Sequence, residues 1–395
     1  MIDGLGELRA REFPWAVRGE QIFLNHASTG PLPQRAVDAL QDATALRAEP
    51  WRFTQELQFG TLAKARAACA RLIGAQPTEI ALMVNTSYGL NLAARALPFE
   101  AGDVVITSDR EYPSNIYPWM ELETSRGVTL RRIPCDGVLP DEDAIMAALD
   151  GPRVRAVVLS WVSFATGYRI DVARIGRACR ERGIWFILDA IQGVGAAPLD
   201  VSAVDVDIVA CGGQKWLLSP WGTGFVWLRP DLVQTLRPVD VSWMATRNSD
   251  DFSRLIDYDF TYRDDARRFE VITLPYQDFI GLNASLDLFL EVGLAEVYAQ
   301  IDRLTTRIVR WALGEPGVRL VTPAARERRA GIVAVAPADP VAASERLTAA
   351  GVTHSLREAA IRLSPHFYNT EEEIDAALAL LAEPRQRSGA RLENR

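Results

Sequence analysis

The segment VDIVACGGQKWLLSPWGTG, residues 206–224, decides how this chain folds and contains one of the only two lysines in its 395 residues. An apolar run at 208–210 is typical of a buried strand, and it breaks at Gly212 and Gly213, just before Lys215. An amine just after the carboxyl end of a strand, in partly apolar surroundings, has a lowered pKa and can form a Schiff base with a carbonyl. We therefore interpret Lys215 as an imine-forming lysine. The alternative is that lysines are rare here because of a composition bias towards arginine, and that Lys215 has no special role.

Outward from this segment, short apolar runs alternate with amphipathic helical patterns through the first two-thirds of the chain. Such an alternation indicates βαβ units and a mostly parallel sheet with both faces covered. We predict an α/β fold with a mostly parallel seven-stranded sheet, in which ligands bind at the carboxyl ends of the strands. The predicted strands are residues 80–84, 103–107, 128–133, 154–159, 184–188, 208–210 and 224–228, and the predicted helices are 34–46, 61–73, 90–96, 141–149 and 172–182.

A long helical pattern at 278–313 leads from this large unit into a smaller C-terminal one. With 48% hydrophobic residues, the chain can bury a substantial core in two domains. We predict an N-terminal arm at 1–20, a large domain at 21–285, a small α/β domain at 286–382 and a polar, disordered tail at 383–395. Within the small domain, the predicted strands are 331–335 and 360–363, and the predicted helices are 340–350 and 370–381.

Composition excludes several classes of function. The net charge of −8 and the pI of about 5.2 argue against a nucleic-acid partner. No stretch reaches the ~20 apolar residues of a membrane span, and the N-terminus does not resemble a signal peptide. The four cysteines are far apart and the three histidines are scattered, so we predict a reducing, cytoplasmic location and no metal site.

An acidic residue follows the strand before the Lys215 segment. Asp189 ends the run at 184–188, and Gln192 lies three residues further on. A carboxylate there can bind the ring nitrogen of a pyridine and hold its proton, while Gln192 can reach the phenolic oxygen of the same ring. Asp residues at strand ends are also common turn formers, so Asp189 alone is a weak signal. The interpretation of Asp189 as a cofactor contact depends on its occurrence together with Lys215 after the next strand.

Two further predicted strands are followed by residues that can bind a phosphate or cover a planar ligand. Thr86 and Ser87 follow the strand at 80–84 at the start of a helix, where hydroxyls, free backbone N–H groups and the helix dipole favour an anion. Ordinary N-capping by Ser or Thr is the alternative. Tyr112 follows the strand at 103–107, where its ring can cover a planar ligand or simply pack. Taken together, these residues indicate pyridoxal 5'-phosphate as cofactor.

The order of these motifs resembles the class V aminotransferase family of fold-type I pyridoxal phosphate enzymes. The resemblance extends from FLNHASTGPLP at 23–33 to SPHFYNTEEEID at 364–375, nearly the whole chain. The family includes cysteine desulfurases, selenocysteine lyases, kynureninases, isopenicillin N epimerases and C–S lyases. It implies a fold-type I architecture and a homodimer with shared active sites.

The resemblance also assigns roles residue by residue. It makes Lys215 the Schiff-base lysine, Asp189 the partner of the pyridine nitrogen and Arg362 the clamp for the substrate carboxylate, a role that suits a bidentate guanidinium. A surface ion pair is the alternative for Arg362. The remaining implied cofactor contacts are Gln192 to the ring oxygen, Tyr112 in the stacking position, Thr86 and Ser87 to the phosphate, and Thr273 to the phosphate of the neighbouring subunit.

The chain departs from the desulfurase pattern at several positions. Residues 331–361 contain no cysteine, although desulfurases need a nucleophilic one just before the Arg362 segment. Phe164 stands where desulfurases place an asparagine near the substrate carboxylate. Gly212 and Gln214 replace the serine and histidine around the lysine, so Gln214 can offer the phosphate a hydrogen bond but no charge. His26 is a candidate for acting on a substrate proton or leaving group, with a buried structural histidine as the alternative.

These residues predict an enzyme that acts on an amino acid. Lys215, once displaced by the substrate amine, removes the Cα proton, and the protonated ring stabilises a quinonoid intermediate. The leading prediction is β-elimination from a cysteine S-conjugate, a C–S lyase reaction. The alternatives are an aminotransferase, an epimerase and a decarboxylating oxidative deaminase, and the remote one is a non-catalytic protein that binds the cofactor.

Overall fold

The computed structural model describes Ile2 and residues 4–382, so the predicted tail at 383–395 lies outside the described residues. A seven-stranded sheet with the order β2-β8-β7-β6-β5-β3-β4 forms the centre of the large domain, and β8 is antiparallel to both of its neighbours. The strands are β1 (Ile22–Phe23), β2 (Ile80–Leu82), β3 (Val104–Ser108), β4 (Thr129–Ile133), β5 (Val154–Ser160), β6 (Trp185–Asp189), β7 (Ile208–Gly212), β8 (Gly224–Leu228), β9 (Arg319–Leu320), β10 (Val333–Ala336), β11 (Val352–Thr353), β12 (Ser355–Arg357) and β13 (Ala360–Leu363).

Helices cover both faces of this sheet. Successive strand residues enter different cores, as Phe186 and Leu188 pack on one face and Ile187 on the other, which explains the continuous apolar runs. The helices are α1 (Leu5–Glu12), α2 (Pro14–Val17), α3 (Gln34–Ala48), α4 (Gln55–Ile73), α5 (Thr86–Ala96), α6 (Tyr117–Arg126), α7 (Glu142–Ala148), α8 (Val172–Glu181), α9 (Pro230–Thr235), α10 (Tyr276–Val292), α11 (Leu294–Gly314), α12 (Pro340–Ala349) and α13 (Glu371–Leu381). None of the described helices combines the length and apolar character that a membrane span needs.

The register of the central strands positions the site. Strands β5, β6 and β7 are parallel neighbours, with Ser160 beside Asp189 and Asp189 beside Ala210. Because parallel strands end at the same edge of a sheet, residues that follow these three strands converge there. Asp189 and the loop that begins after β7 are therefore adjacent, as the sequence predicted.

The long helical pattern at 278–313 forms two helices, α10 and α11. Gly293 separates α10 from α11 with φ 89° and ψ 126°, a conformation that costs glycine little. α10 packs against α3 and α4 of the large domain, whereas Leu304 and Ile308 of α11 enter the core of the small domain. We propose that the domain boundary lies at this break rather than between residues 285 and 286.

The small domain has a four-stranded antiparallel sheet with the order β12-β13-β10-β9. The N-terminal arm packs on this domain, where the Phe13 ring stacks on Tyr368 at 4.0 Å, and β1, which follows the arm, pairs with β11. Arg9 and Glu373 form an ion pair of 2.5 Å at the same contact. The arm thereby carries the residues after β1 into the space between the two domains.

Candidate active site

Asp189 and Lys215 lie together at the carboxyl edge of the large sheet. Asp189 is buried, which raises the pKa of its carboxyl to about 6, although the Ile191 backbone N–H at 3.1 Å and the charge of Lys215 both lower it. Burial also lowers the pKa of Lys215 to about 8, while the attraction of Asp189 opposes that effect. An amine with this pKa has a substantial neutral fraction near neutral pH, which nucleophilic attack and proton abstraction both require.

Two aromatic side chains form a wall beside Lys215. Its Nζ lies 5.7 Å from the ring centre of Tyr112, which follows β3 and is 46% exposed. The Tyr112 ring meets the Phe164 ring edge-on, with 5.2 Å between the centroids. Phe164 follows β5, so the two rings come from neighbouring strands. The structure thus brings together the predicted stacking residue, the predicted substrate contact and the lysine.

Arg362, on β13 of the small domain, reaches into the same space. Its Nη1 donates to the Phe164 carbonyl at 2.6 Å, and its Nη2 donates to Ser28 Oγ at 2.7 Å. Longer contacts join Nη2 to Ser355 Oγ at 3.3 Å and to Asn25 Oδ1 at 3.4 Å. Residues from three separate parts of the chain therefore fix the plane of the guanidinium.

The charge of Arg362 is not matched by a carboxylate in the part of the chain that the structure describes. The side chain is 2% exposed, its Nε has no hydrogen-bond partner there, and burial lowers its pKa to about 10. A buried cation without an anionic partner is costly, so this arrangement favours a bound anion. The surface ion pair considered as an alternative for Arg362 is not what the structure shows.

The N-terminus of α5 points the predicted phosphate contacts at the site. Asn85 is the N-cap, because its side chain accepts from the Tyr88 backbone N–H at 2.9 Å, so capping does not explain Thr86 or Ser87. The backbone N–H groups of these two residues have no partner within the helix. Thr86 is buried and its Oγ1 accepts from the Gly212 backbone N–H at 2.8 Å, whereas Ser87 is exposed.

Gly212 lies where chain segments approach each other closely. A Cβ at this position would lie 2.5 Å from Gln214 Oε1 and 3.2 Å from Thr86 Oγ1, so a side chain there would displace its neighbours. Glycine in place of the serine, noted in the sequence as a departure, thus allows the half-buried Gln214 side chain to lie beside the start of α5 at the end of β7.

Gln192 is buried, and its amide is used largely within the protein. Nε2 donates to the Ala27 carbonyl at 2.9 Å, and Oε1 accepts from Trp216 Nε1 at 2.9 Å. One amide hydrogen remains for a ligand, since a primary amide has two. The predicted contact of Gln192 with a ring oxygen stays a prediction, and the structure adds that Gln192 fixes the indole next to Lys215.

For His26 the structure favours the alternative of a buried structural histidine. Its ring is fully buried, Nδ1 lies 2.7 Å from the Ser364 carbonyl, and Nε2 lies 2.8 Å from the Tyr368 hydroxyl. A carbonyl only accepts, so Nδ1 carries the proton and Nε2 accepts from the tyrosine. Burial and the neighbouring His366 hold the pKa of His26 well below its usual range. Neither nitrogen is available, and His26 joins the segment after β1 to the segment after β13.

Thr273 lies apart from this cluster. Its side chain is exposed, and no hydrogen bond in the described chain connects it to the residues above. Its predicted contact with a phosphate requires a second subunit and stays a prediction. The described residues also contain no group of three or more histidine, cysteine, aspartate or glutamate side chains that could hold a metal ion.

Glu111 is a site residue that the sequence analysis missed. It accepts hydrogen bonds from the backbone N–H of Ser160 at 2.8 Å, from the Ser160 hydroxyl and from Asn115 Nδ2 at 3.1 Å. Burial raises the pKa of its carboxyl to about 7, and the nearby charge of Asp189 adds to this. Since Ser160 pairs with Asp189 in the sheet, Glu111 supports the strand end at the site. Its position directly before Tyr112 was the available signal.

Comparison with known proteins identifies the family that the chain matches and several similar proteins. The family model for aminotransferase class V matches residues 22–377. The chain is 32% identical over 368 residues to the isopenicillin N epimerase of Streptomyces clavuligerus, covering 90% of this chain and 92% of that protein. It is also 32% identical over 295 residues to a probable cysteine desulfurase of Methanothermobacter thermautotrophicus, covering 73% and 72%.

The solved structures are similar over almost the full chain. The cystine C–S lyase C-DES in complex with its product cysteine persulfide superposes with a TM-score of 0.84 at 26% identity, covering 94% of this chain and 99% of that one. A lysine-to-alanine variant of C-DES with glycine covalently linked to its PLP cofactor gives a TM-score of 0.85 at 25% identity, covering 95% and 99%.

Proposed function

Because the chain belongs to the aminotransferase class V family, whose members use pyridoxal 5'-phosphate to act on amino acids, we propose that it is a C–S lyase that performs β-elimination on a cysteine S-conjugate. The fold is that of the fold-type I pyridoxal phosphate enzymes. The class of enzyme and its cofactor follow from the family. The reaction and the substrate are the proposal.

The residues at the site fit the cofactor. The backbone N–H groups of Thr86 and Ser87 at the N-terminus of α5 have no partner within the helix and suit a phosphate. Asp189 accepts one hydrogen bond from the described chain, so its other oxygen is available for a ring N–H. Lys215 would carry the cofactor covalently and Tyr112 would cover it. When bound, the cofactor supplies an electron-accepting ring that stabilises negative charge at the substrate Cα.

The protein itself performs three tasks in the proposed reaction. Arg362 binds the substrate carboxylate and orients the amino acid. Lys215, with its pKa lowered to about 8, removes the Cα proton as general base. Asp189 holds a proton on the ring nitrogen. As the Cβ–S bond breaks, its electron pair leaves with sulfur, and thiol, pyruvate and ammonia are released after hydrolysis.

The observation that carries this proposal is the short hairpin that precedes Arg362. Strands β12 and β13 are joined by Glu358 and Ala359, and the segment contains no cysteine. All four cysteines are in the large domain, and three of them are buried. Transfer of sulfur to an enzyme cysteine has no acceptor at this position, whereas elimination of a thiol needs none. The likeness to the cystine C–S lyase C-DES supports the same reading.

The test is product analysis with the purified holoenzyme and a panel of cysteine S-conjugates. We expect equimolar thiol and pyruvate, detected by mass spectrometry and by a coupled lactate dehydrogenase assay. Arg362→Ala should raise KM by roughly 10-fold to 100-fold, because a hydrogen bond to a charged group contributes about 1.5–3 kcal/mol. Release of a keto acid that retains the whole side chain would instead identify an aminotransferase and reject the lyase proposal.

Epimerisation is the second candidate, and the likeness to the isopenicillin N epimerase supports it. Inversion at Cα requires a proton donor on the face opposite the base. In deuterium oxide, an epimerase would return the substrate with deuterium at Cα and inverted configuration, with no pyruvate formed. That result would replace the lyase proposal.

We also propose a homodimer in which Thr273 reaches the phosphate of the partner subunit, and a cytoplasmic location. The exposure of Thr273 and the large apolar side chains exposed at residues 252–260 support the dimer. The four unpaired cysteines support a reducing compartment.

A further inference from the structure

The hairpin of β12 and β13 presents two different faces. Leu356, Ile361 and Leu363 pack into or against the core of the small domain. Residues on a strand alternate between faces, and Ser355 pairs with Arg362 while Arg357 pairs with Ala360. Arg357 therefore shares the opposite face with Arg362, which is the face that Ser28 and Asn25 meet.

Arg357 is a second cation on the site face, and it has no acidic partner. It is exposed, it donates only to the Leu356 carbonyl at 3.1 Å, and no carboxylate in the described part of the chain pairs with it. Its neighbour Glu358 is bound by Arg110 from the loop that carries Tyr112. The acidic charge of the hairpin turn is thereby neutralised by another arginine, and the charge of Arg357 remains uncompensated.

The spacing of the two arginines matches a molecule with two acidic groups. Diagonal neighbours across an antiparallel pair have their Cα atoms roughly 7 Å apart, and both side chains here leave the same face. Arg362 is buried among Phe164, Ser28 and Ser355, whereas Arg357 is exposed and lies two residue pairs nearer the hairpin turn. If Arg362 binds the α-carboxylate of a substrate, the side chain of that substrate would extend past Arg357.

We propose that Arg357 is a specificity-determining residue that binds a second carboxylate at the end of the substrate side chain. The preferred substrate is then an α-amino acid with an acidic side chain, such as a cysteine conjugate whose sulfur substituent ends in a carboxylate. This inference rests on the proposed function for the identity of the leaving group, but not for the recognition of the second acid.

The experiment compares an acid with its neutral amide of almost equal shape. The full-length holoenzyme is assayed with S-carboxymethyl-L-cysteine and S-carbamoylmethyl-L-cysteine. We expect wild type to favour the acid by about 5-fold in kcat/KM, the effect of roughly 1 kcal/mol from one partly exposed ion pair. Arg357→Gln should abolish this preference by raising KM for the acid alone, and Arg357→Lys should keep part of it. Equal preference in wild type and Arg357→Gln overturns the proposal.

A binding measurement separates failure of this inference from failure of the lyase proposal. L-Glutamate and L-glutamine are titrated into the holoenzyme, and the change in cofactor absorbance gives a dissociation constant without any elimination. If neither conjugate releases thiol, the lyase proposal fails, while tighter binding of glutamate that Arg357→Gln removes still supports the role of Arg357. Equal binding of the two amino acids, or binding of neither, overturns it.

The matched control is Arg47→Gln. Arg47 is also exposed, makes no ion pair in the described chain and lies in α3, away from the hairpin. Its replacement removes the same charge and should leave the preference for the acid intact. If Arg47→Gln reduces that preference as much as Arg357→Gln, the effect is one of net charge and the proposal is overturned.

Discussion

At the scale of single residues, burial disfavours the charged forms of the groups that the proposed reaction uses. The pKa of Lys215 falls to about 8 and that of Arg362 to about 10, while that of Asp189 rises to about 6. Each of these shifts records a free-energy cost of placing the charged form at the domain junction. The site is therefore expected to lower the stability of the cofactor-free protein, as functional sites often do.

Replacement of Lys215 measures this cost. The folded protein releases the Lys215 proton near pH 8 and the unfolded chain near 10.5, so the penalty is complete below pH 8 and disappears towards pH 10.5. Cofactor-free Lys215→Met should be more stable than wild type by roughly 2–3 kcal/mol at pH 7, with the gain lost over that interval. Urea unfolding at several pH values measures it.

The other lysine supplies the control for this prediction. Lys64 is exposed and lies 2.6 Å from Asp287, so its charge does not carry a burial penalty. Lys64→Met should give no gain in stability at pH 7. A gain for Lys215→Met that is the same at pH 7 and pH 10.5 would show that packing, not the charge, is responsible.

At the scale of elements, the start of α5, which is the proposed phosphate site, is hydrogen-bonded to the end of β7, the strand that leads to Lys215. Thr86→Val removes the hydroxyl that accepts from the Gly212 backbone N–H and would also contact the phosphate. We expect a dissociation constant for pyridoxal phosphate at least ~10-fold higher, the effect of losing a hydrogen bond to a charged group. Absorbance titration of the apoprotein measures it. Thr44→Val on α3 is the control, and equal losses in both variants would contradict the assignment.

The break between α10 and α11 is set by the backbone of one residue. A Cβ at Gly293 would meet nothing within 4 Å, so Gly293→Ala tests conformation without a steric clash. With φ at 89°, alanine is strained, and we expect a loss of about 1–2 kcal/mol in the free energy of unfolding. Gly314→Ala, at the helical end of α11 and equally open, should be neutral or slightly stabilising. Equal effects would reject this explanation.

At the scale of the whole molecule, one exposed apolar segment stands out. Phe252, Ile256, Tyr258 and Phe260 are exposed by 47%, 79%, 91% and 70%, which is unusual for large apolar side chains that remain in water. The segment precedes Thr273, the residue assigned to the partner's phosphate. We interpret it as part of the proposed dimer interface.

A single charge in this segment tests the dimer. Ile256→Asp should shift the protein from dimer to monomer in sedimentation velocity and weaken cofactor binding, because Thr273 would lose its partner. Leu313→Asp, at a position 65% exposed on α11, should leave the dimer intact. A wild-type monomer at micromolar concentration would exclude the shared active site.

The sequence alone predicted the family and much of the architecture correctly. The predicted class V aminotransferase family and the fold are confirmed. All seven strands of the large sheet lie where the predicted runs placed them. Strands β6, β7 and β8 are buried almost throughout and leave a continuous apolar signal, whereas the edge strand β4 is mostly exposed. The helix α6 was missed, since its half-exposed sequence with Pro118 has little periodicity. The two-residue strands β1, β9 and β11 are too short to leave any pattern.

The sequence by itself determined which chemistry is present, and the tertiary structure decided which residues can take part in it. Lys215 and Asp189 could be paired from sequence because Asp189 ends β6, Lys215 closely follows β7, and neighbouring parallel strands share an edge. The burial and the hydrogen-bond partners of His26, Glu111 and Arg357 depend on contacts between different segments of the chain. Burial and the partners of a polar atom are properties of packing, so no local pattern could show that His26 is enclosed and Arg357 is open.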